Sequence, residues 1–122
     1  MKILVADDEI HMLEFMSEFL GKMNGHEVVL VENPREGLDK LTDDCDIVIT
    51  DHDMGSSISG AMFAAMIRGT FPNMPIIMIS GRASIIKRPP EVDILIQKPF
   101  QLTEILLAIE EAIKMHQSDV LQ

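Results

Sequence analysis

Five short apolar runs, separated by longer amphipathic stretches, constrain this chain more than any other feature. The runs occupy residues 3–6, 27–31, 47–50, 75–79 and 94–97, and each is nearly continuous in valine, isoleucine and leucine. A strand with one wet face would alternate apolar and polar residues. A strand covered on both faces has no place for the polar ones, so near-continuous runs predict parallel strands buried between helices.

The intervening stretches supply those helices. Within residues 9–23, Met12, Met16, Phe19 and Met23 recur at helical spacing and predict one buried face. The chain holds ten methionines, and this spacing assigns those in the first helix to core rather than to a sticky partner groove. Asn33 followed by Pro34 predicts a capped helix start running to about residue 41. Residues 59–69 read as a third helix. Residues 103–115 read as the last, with Leu102, Ile105, Leu106, Ile109, Ala112 and Ile113 on one side. The connection "GRASIIKRPPEVD", residues 81–93, is the weak one, because Pro89 and Pro90 forbid helix there. Only about two turns near residues 82–87 are expected to be helical, which still meets the roughly 10–12 residues a parallel crossover needs.

The fold class expected is therefore α/β. It is a doubly wound (βα)5 three-layer sandwich, with helices on both faces of a five-stranded parallel sheet and a shortened fourth helix. At 122 residues, 47% of them hydrophobic, the chain is expected to form one domain over 1–122 with no output domain.

Charge narrows the function. Residues 1–53 hold 14 acidic residues against 4 basic ones and so carry the whole net charge of −10, while residues 54–122 hold 6 of each. That balance argues against direct nucleic-acid binding, which needs a basic face, and against an anionic membrane surface. Arg82, Lys87 and Arg88 form a small basic cluster, read as a solvated face in preference to a docking patch. A single cysteine, Cys45, permits no internal disulfide and suits a reducing compartment. With no signal-like N-terminus and no apolar run of spanning length, a cytoplasmic protein without membrane insertion is expected.

Open parallel sheets bind ligands beyond the carboxyl ends of their strands. Asp7, Asp8 and Glu9 follow the first strand, Asp51 and Asp53 the third, Ser80 and Gly81 the fourth, Lys98 and Pro99 the fifth. Each has an innocent reading: Asp8 and Glu9 as helix-dipole partners, Asp51 as a turn former, Ser80 as a loop hydroxyl, Lys98 as a solvated strand end. In a sheet of order 2-1-3-4-5, however, strands one, three, four and five are neighbours, and these groups meet in one cleft. Clustered carboxylates need a compensating cation. An all-oxygen set suits Mg²⁺ (Mn²⁺ as a substitute), and a metal with a lysine can neutralise a phosphoryl group in transit.

With those residues in place the chain resembles the receiver domain of two-component response regulators, over essentially its whole length. "ILVADDE" is similar to the family's acidic-pair motif, "DIVITDHDM" to its phosphoacceptor strand, "IIMIS" to its hydroxyl strand and "KPF" to its lysine–proline motif. The resemblance implies a flavodoxin-like fold and a stand-alone, chemotaxis-regulator-like switch. In it Asp51 accepts a phosphoryl group from a histidine kinase or histidine phosphotransfer protein. Asp8 and Asp51 would ligate Mg²⁺ together with the backbone carbonyl of Asp53, and Asp7 would act through water. Ser80 and Lys98 would bind the transferred group, and Lys98–Pro99 is a cis-peptide candidate.

The signal would pass by phosphorelay or by protein–protein contact to a downstream partner, from a monomer or a phosphorylation-dependent dimer. The chain would be no enzyme beyond catalysing its own phosphorylation and dephosphorylation.

Three departures stand out. Leu95 occupies the place of the family's switch aromatic, Met54–Gly55 replaces Met-Pro with Gly60 one position late, and the fourth helix is curtailed. Asp53 and Arg82 flank the site and are expected to modulate phosphoryl lifetime. Two rivals remain at this point. One is a degenerate receiver that binds without phosphorylation. The other is a haloacid-dehalogenase-like phosphohydrolase using Asp51 as nucleophile and Asp53 as general acid. In the latter family the acidic pair usually comes last in the chain; here it comes first.

Overall fold

The computed structural model describes the backbone of residues 1–120 and the side chains of residues 1–117. Its strands are β1 (Lys2–Ala6), β2 (Glu27–Val31), β3 (Ile47–Asp51), β4 (Ile76–Ser80) and β5 (Ile94–Gln97). They form one parallel sheet in the order β2-β1-β3-β4-β5, as expected. The helices are α1 (Ile10–Met16, continued as a π-helical segment, Ser17–Met23), α2 (Pro34–Lys40), α3 (Gly60–Thr70) and α4 (Leu102–Val120).

Alternate residues of each strand feed two separate cores, one on each face of the sheet. Ile3, Val5, Ile47, Ile49, Ile77, Ile79 and Ile96 pack against α1 and α4. Leu4, Ala6, Val48, Ile76 and Met78 pack against α2 and α3, with Phe63 of α3 fully buried among them. Short of the strand ends, where Thr50 and Ser80 are buried, both faces are filled by apolar side chains, which is why the sequence runs are nearly continuous. Two helix starts are capped as expected of their residue types: Asn33 accepts from the Glu36 amide at 2.8 Å, and Ser59 from the Met62 amide at 3.1 Å.

Three expectations need correction. Met23 is 67% exposed, although its spacing placed it on the core face. The wider π turn changes the phase of the helix after Met16, and Leu20 is buried instead. On α4 the buried face is Ile105, Ala108, Ile109 and Ala112, while Leu102 and Leu106 lie outside it. Between β4 and β5 the shortening goes further than expected. In place of two helical turns there is a single turn, in which the Ile85 and Ile86 amides donate to the Arg82 carbonyl.

At the amino ends of β4 and β5 a polar knot replaces that helix as a fastener. Arg68 of α3 donates to the carbonyls of Pro72, Met74 and Glu91 at 2.7–2.9 Å. Asp93 accepts from the Ile76 amide at 2.8 Å, from Arg68 at 3.4 Å and pairs with His116 of α4 at 2.9 Å. One carboxylate thus holds α3, β4, the crossover and α4 together. Asp93→Ala is expected to lower unfolding stability by about 2 kcal/mol, since charge-assisted hydrogen bonds are lost and Arg68 loses its counter-charge. The urea midpoint of the variant checks it.

Candidate functional site

The site is built where β1, β3, β4 and β5 end. Parallel register places Ala6 beside Thr50, Asp51 beside Ile79 and Ser80 beside Gln97. Residues one or two past those pairs therefore converge. Asp7, Asp51 and Ser80 are buried, and Asp8 is exposed. Asp7, Asp8 and Asp51 each present a carboxylate oxygen within 4.8 Å of the others. Lys98 reaches across from the end of β5, with Nζ 3.0 Å from Asp51 Oδ1 and 3.9 Å from Asp7 Oδ2. The Lys98–Pro99 bond is cis.

The electrostatics follow from burial and from that one ammonium. Burial pushes the Asp7 carboxyl up to about 6, against a hydrogen bond from the Glu9 amide at 2.9 Å and with the Asp51 charge adding to the rise. Burial also raises Asp51, opposed by the hydrogen bond and charge of Lys98. Burial alone would lower Lys98, but its hydrogen bond and attraction to Asp51 outweigh burial and its ammonium is held above the usual range. Three carboxylates share one lysine, so the cluster is short of positive charge. An all-oxygen set of this kind fits a hard divalent cation such as Mg²⁺.

A pH dependence follows. Asp7 keeps its proton in the folded, metal-free protein up to about pH 6, whereas an unfolded aspartate releases it near its ordinary value. The folded state then binds more protons between those two values, so its contribution to stability falls as pH rises through that window. Wild type minus Asp7→Asn, compared by melting temperature in chelator, is expected to decline between pH 4.5 and 7. Affinity for Mg²⁺, read by titration, is expected to strengthen over the same range as the competing proton leaves.

The other expected site residues divide. The Ser80 hydroxyl is buried beside the cluster and accepts the Arg82 amide at 3.0 Å. The Asp53 side chain is not among the carboxylates gathered with Asp51. It is 66% exposed and turned toward Arg82 (3.4 Å) and His52 (3.3 Å). The His52 hydrogen bond, with the charge of Arg82, holds the Asp53 carboxyl below its ordinary value. Leu95 is partly buried against the α2–α3 core, an apolar packing role.

Residues the sequence reading passed over also belong here. His52 stands beside the Asp53–Arg82 pair, its Nδ1 3.3 Å from the Asp53 carboxylate and 3.5 Å from the guanidinium, placed to donate to the one or to accept from the other. Gly60 opens α3 directly against the Asp51 carbonyl. Gln97 ties the loop after Ser80 to the end of β5. A polar side chain at the end of an edge strand, one before the lysine, was the only signal for Gln97.

Comparison with known proteins agrees with this fold. The family model described as the response regulator receiver domain matches residues 3–110. The chain is 32% identical over 111 residues to the transcriptional regulatory protein FlgR of Helicobacter pylori, covering 88% of this chain and 28% of that one. The chain spans less than half the length of the curated relatives it matches. Among solved structures it is similar to a response regulator receiver domain protein of Clostridium thermocellum, at 30% identity and TM-score 0.83, covering 99% of this chain and 98% of that one. It is also similar to the response regulator TrrA of Thermotoga maritima, solved in complex with Mg(2+)-BeF, at 30% identity and TM-score 0.80, covering 91% and 97%.

Proposed function

The chain belongs to the response regulator receiver domain family of two-component signalling, and from that premise we propose that it is a phosphoryl-accepting switch with Asp51 as the acceptor. One observation carries this reading: a buried carboxylate, Asp51, is paired with Lys98 at 3.0 Å and shares its cleft with Asp7 and Asp8. The donor is a histidine kinase or histidine phosphotransfer protein. The Asp51 carboxylate attacks phosphorus, the bond from phosphorus to the donor imidazole breaks, and the imidazole leaves with its electron pair.

Lys98 stabilises the charge that gathers on the phosphoryl oxygens, and the Ser80 hydroxyl turns from the Arg82 amide to donate to one of them. Asp8, Asp51 and the backbone carbonyl of Asp53 would hold Mg²⁺, with Asp7 acting through water. The ion, when bound, neutralises the carboxylates and the incoming phosphoryl charge. Hydrolysis returns Asp51 and inorganic phosphate, so the only reaction catalysed is the protein's own modification. The exposed Asp53 and Arg82, with the partly buried His52 beside them, lie at the mouth of the site, where they modulate access of water to the acyl phosphate. A downstream protein reads the altered charge and loop arrangement by direct contact or phosphorelay.

The test is intact mass after incubation with Mg²⁺ and acetyl phosphate. A gain of one phosphoryl group is expected, absent in chelator and absent in Asp51→Asn. No adduct, with donor consumed no faster than in buffer, would overturn the reading in favour of a phosphorylation-independent binding module. Many turnovers of donor without an adduct would point to a hydrolase.

A further inference from the structure

Gln97 makes three hydrogen bonds from one side chain. Its Oε1 accepts the Ser84 amide at 2.8 Å, and its Nε2 donates to the Gly81 carbonyl at 2.8 Å and to the Lys98 carbonyl at 2.6 Å. Both protons of the amide and one of the two lone pairs on its oxygen are engaged. The residues it joins are the two arms of the site. Gly81 follows Ser80 directly, and Ser84 lies beyond Arg82, whose own amide is held by the Ser80 hydroxyl. Lys98 is the cation paired with Asp51. A backbone bond, from the Lys98 amide to the Ser80 carbonyl at 2.9 Å, also joins these arms.

We propose that Gln97 is a positioning residue: it latches the loop of residues 81–84 to the end of β5 and so fixes where Ser80 and Lys98 stand relative to Asp51. The latch compensates for two features of this chain. No helix follows β4 to make the loop rigid, since a single turn at Arg82–Ile86 is all that forms there. At the third position before Lys98 a partly buried leucine, Leu95, packs into the core and offers the loop no polar tie. Gln97 supplies through its side chain the order that a helical backbone would otherwise impose. It touches no reacting atom. The inference rests on the reading of Asp51 as phosphoacceptor.

The experiment compares wild type with Gln97→Met, which keeps the length of the side chain and loses all three bonds, and Gln97→Glu, which keeps the acceptor for Ser84 and loses both donors. Amide exchange of Ser84 in the unphosphorylated protein is read by NMR. It is expected to speed up about five- to tenfold in Gln97→Met, the equivalent of one ordinary hydrogen bond, and to stay near wild type in Gln97→Glu. Phosphorylation of Asp51 by acetyl phosphate is expected to slow about ten- to a hundredfold in both variants, as misplacement of positioning groups does. Affinity for Mg²⁺ is expected to stay within about twofold, because Gln97 contacts none of the three carboxylates.

Wild-type rates in Gln97→Met would overturn the proposal, as would lost Ser84 protection without any change in rate. A parallel loss of Mg²⁺ affinity would also overturn it, since that marks general damage to the site. If wild type itself takes no phosphoryl group, the phosphoacceptor reading fails, and the positioning role with it; Ser84 exchange still reports separately whether the latch exists.

Discussion

Lys98→Ala will slow phosphoryl transfer to Asp51 by about a hundredfold or more while binding Mg²⁺ as tightly as wild type or tighter. The ammonium lies 3.0 Å from Asp51 and 3.9 Å from Asp7, and no other lysine or arginine is paired with these carboxylates among the described residues. In the resting protein it offsets carboxylate repulsion; in the proposed transfer it would meet the charge on the phosphoryl oxygens. Removing it takes away a preorganised cation where charge develops, a loss typically worth two to three orders of magnitude in rate. The same removal leaves three carboxylates with less competition for a divalent cation, so metal affinity holds or improves. Rates and Mg²⁺ titrations on one preparation separate the two effects. Equal losses in both would show Lys98 to be a structural brace.

Gly60→Ala will be the most damaging small substitution in the chain, costing about 3 kcal/mol or more. A Cβ built there would meet the Asp51 carbonyl oxygen far inside contact distance and come 2.9 Å from the His52 Cα. Both neighbours are backbone, at the end of a fully buried strand, and neither can yield as a flexible side chain would. The Gly60 amide also donates to the His52 carbonyl at 2.9 Å, which fixes the separation. Gly69 is the internal control. It lies in the same helix with open space around it, so Gly69→Ala is expected to stabilise by about 0.5–1 kcal/mol through the unfolded chain. Urea midpoints moving in opposite directions would confirm both; a neutral Gly60→Ala would mean that the start of α3 moves away from Asp51 at little cost.

What was legible in the sequence follows a physical line. Strand identity, parallel pairing and the convergence of Asp7, Asp8, Asp51, Ser80 and Lys98 all follow from local apolar runs and the restricted ways of connecting them. The residues misassigned or missed depend on contacts that no local pattern encodes. Met23 was placed in the core because its spacing assumes one uniform helical period, and the π segment breaks that period. Leu102 and Leu106 look like part of the buried face of α4, but Ala108 is buried in their place beside Ile105, Ile109 and Ala112. Asp53 and Arg82 were read as flanking the site and do meet there, 3.4 Å apart; what no local pattern gave was His52 beside them, 30 residues from Arg82. Gln97 was silent because its value lies in where two distant loop atoms fall.

The knot of Arg68, Asp93 and His116 has a mechanical corollary. It clamps β4 and β5 at their amino ends, and β3 and β4 are buried along their whole length between clamp and site. The sheet is therefore an anvil. A displacement at its carboxyl rim would find the far ends of those strands fixed and would fall on the loops joined to that rim. Ile85, 79% exposed, lies on the loop just beyond it.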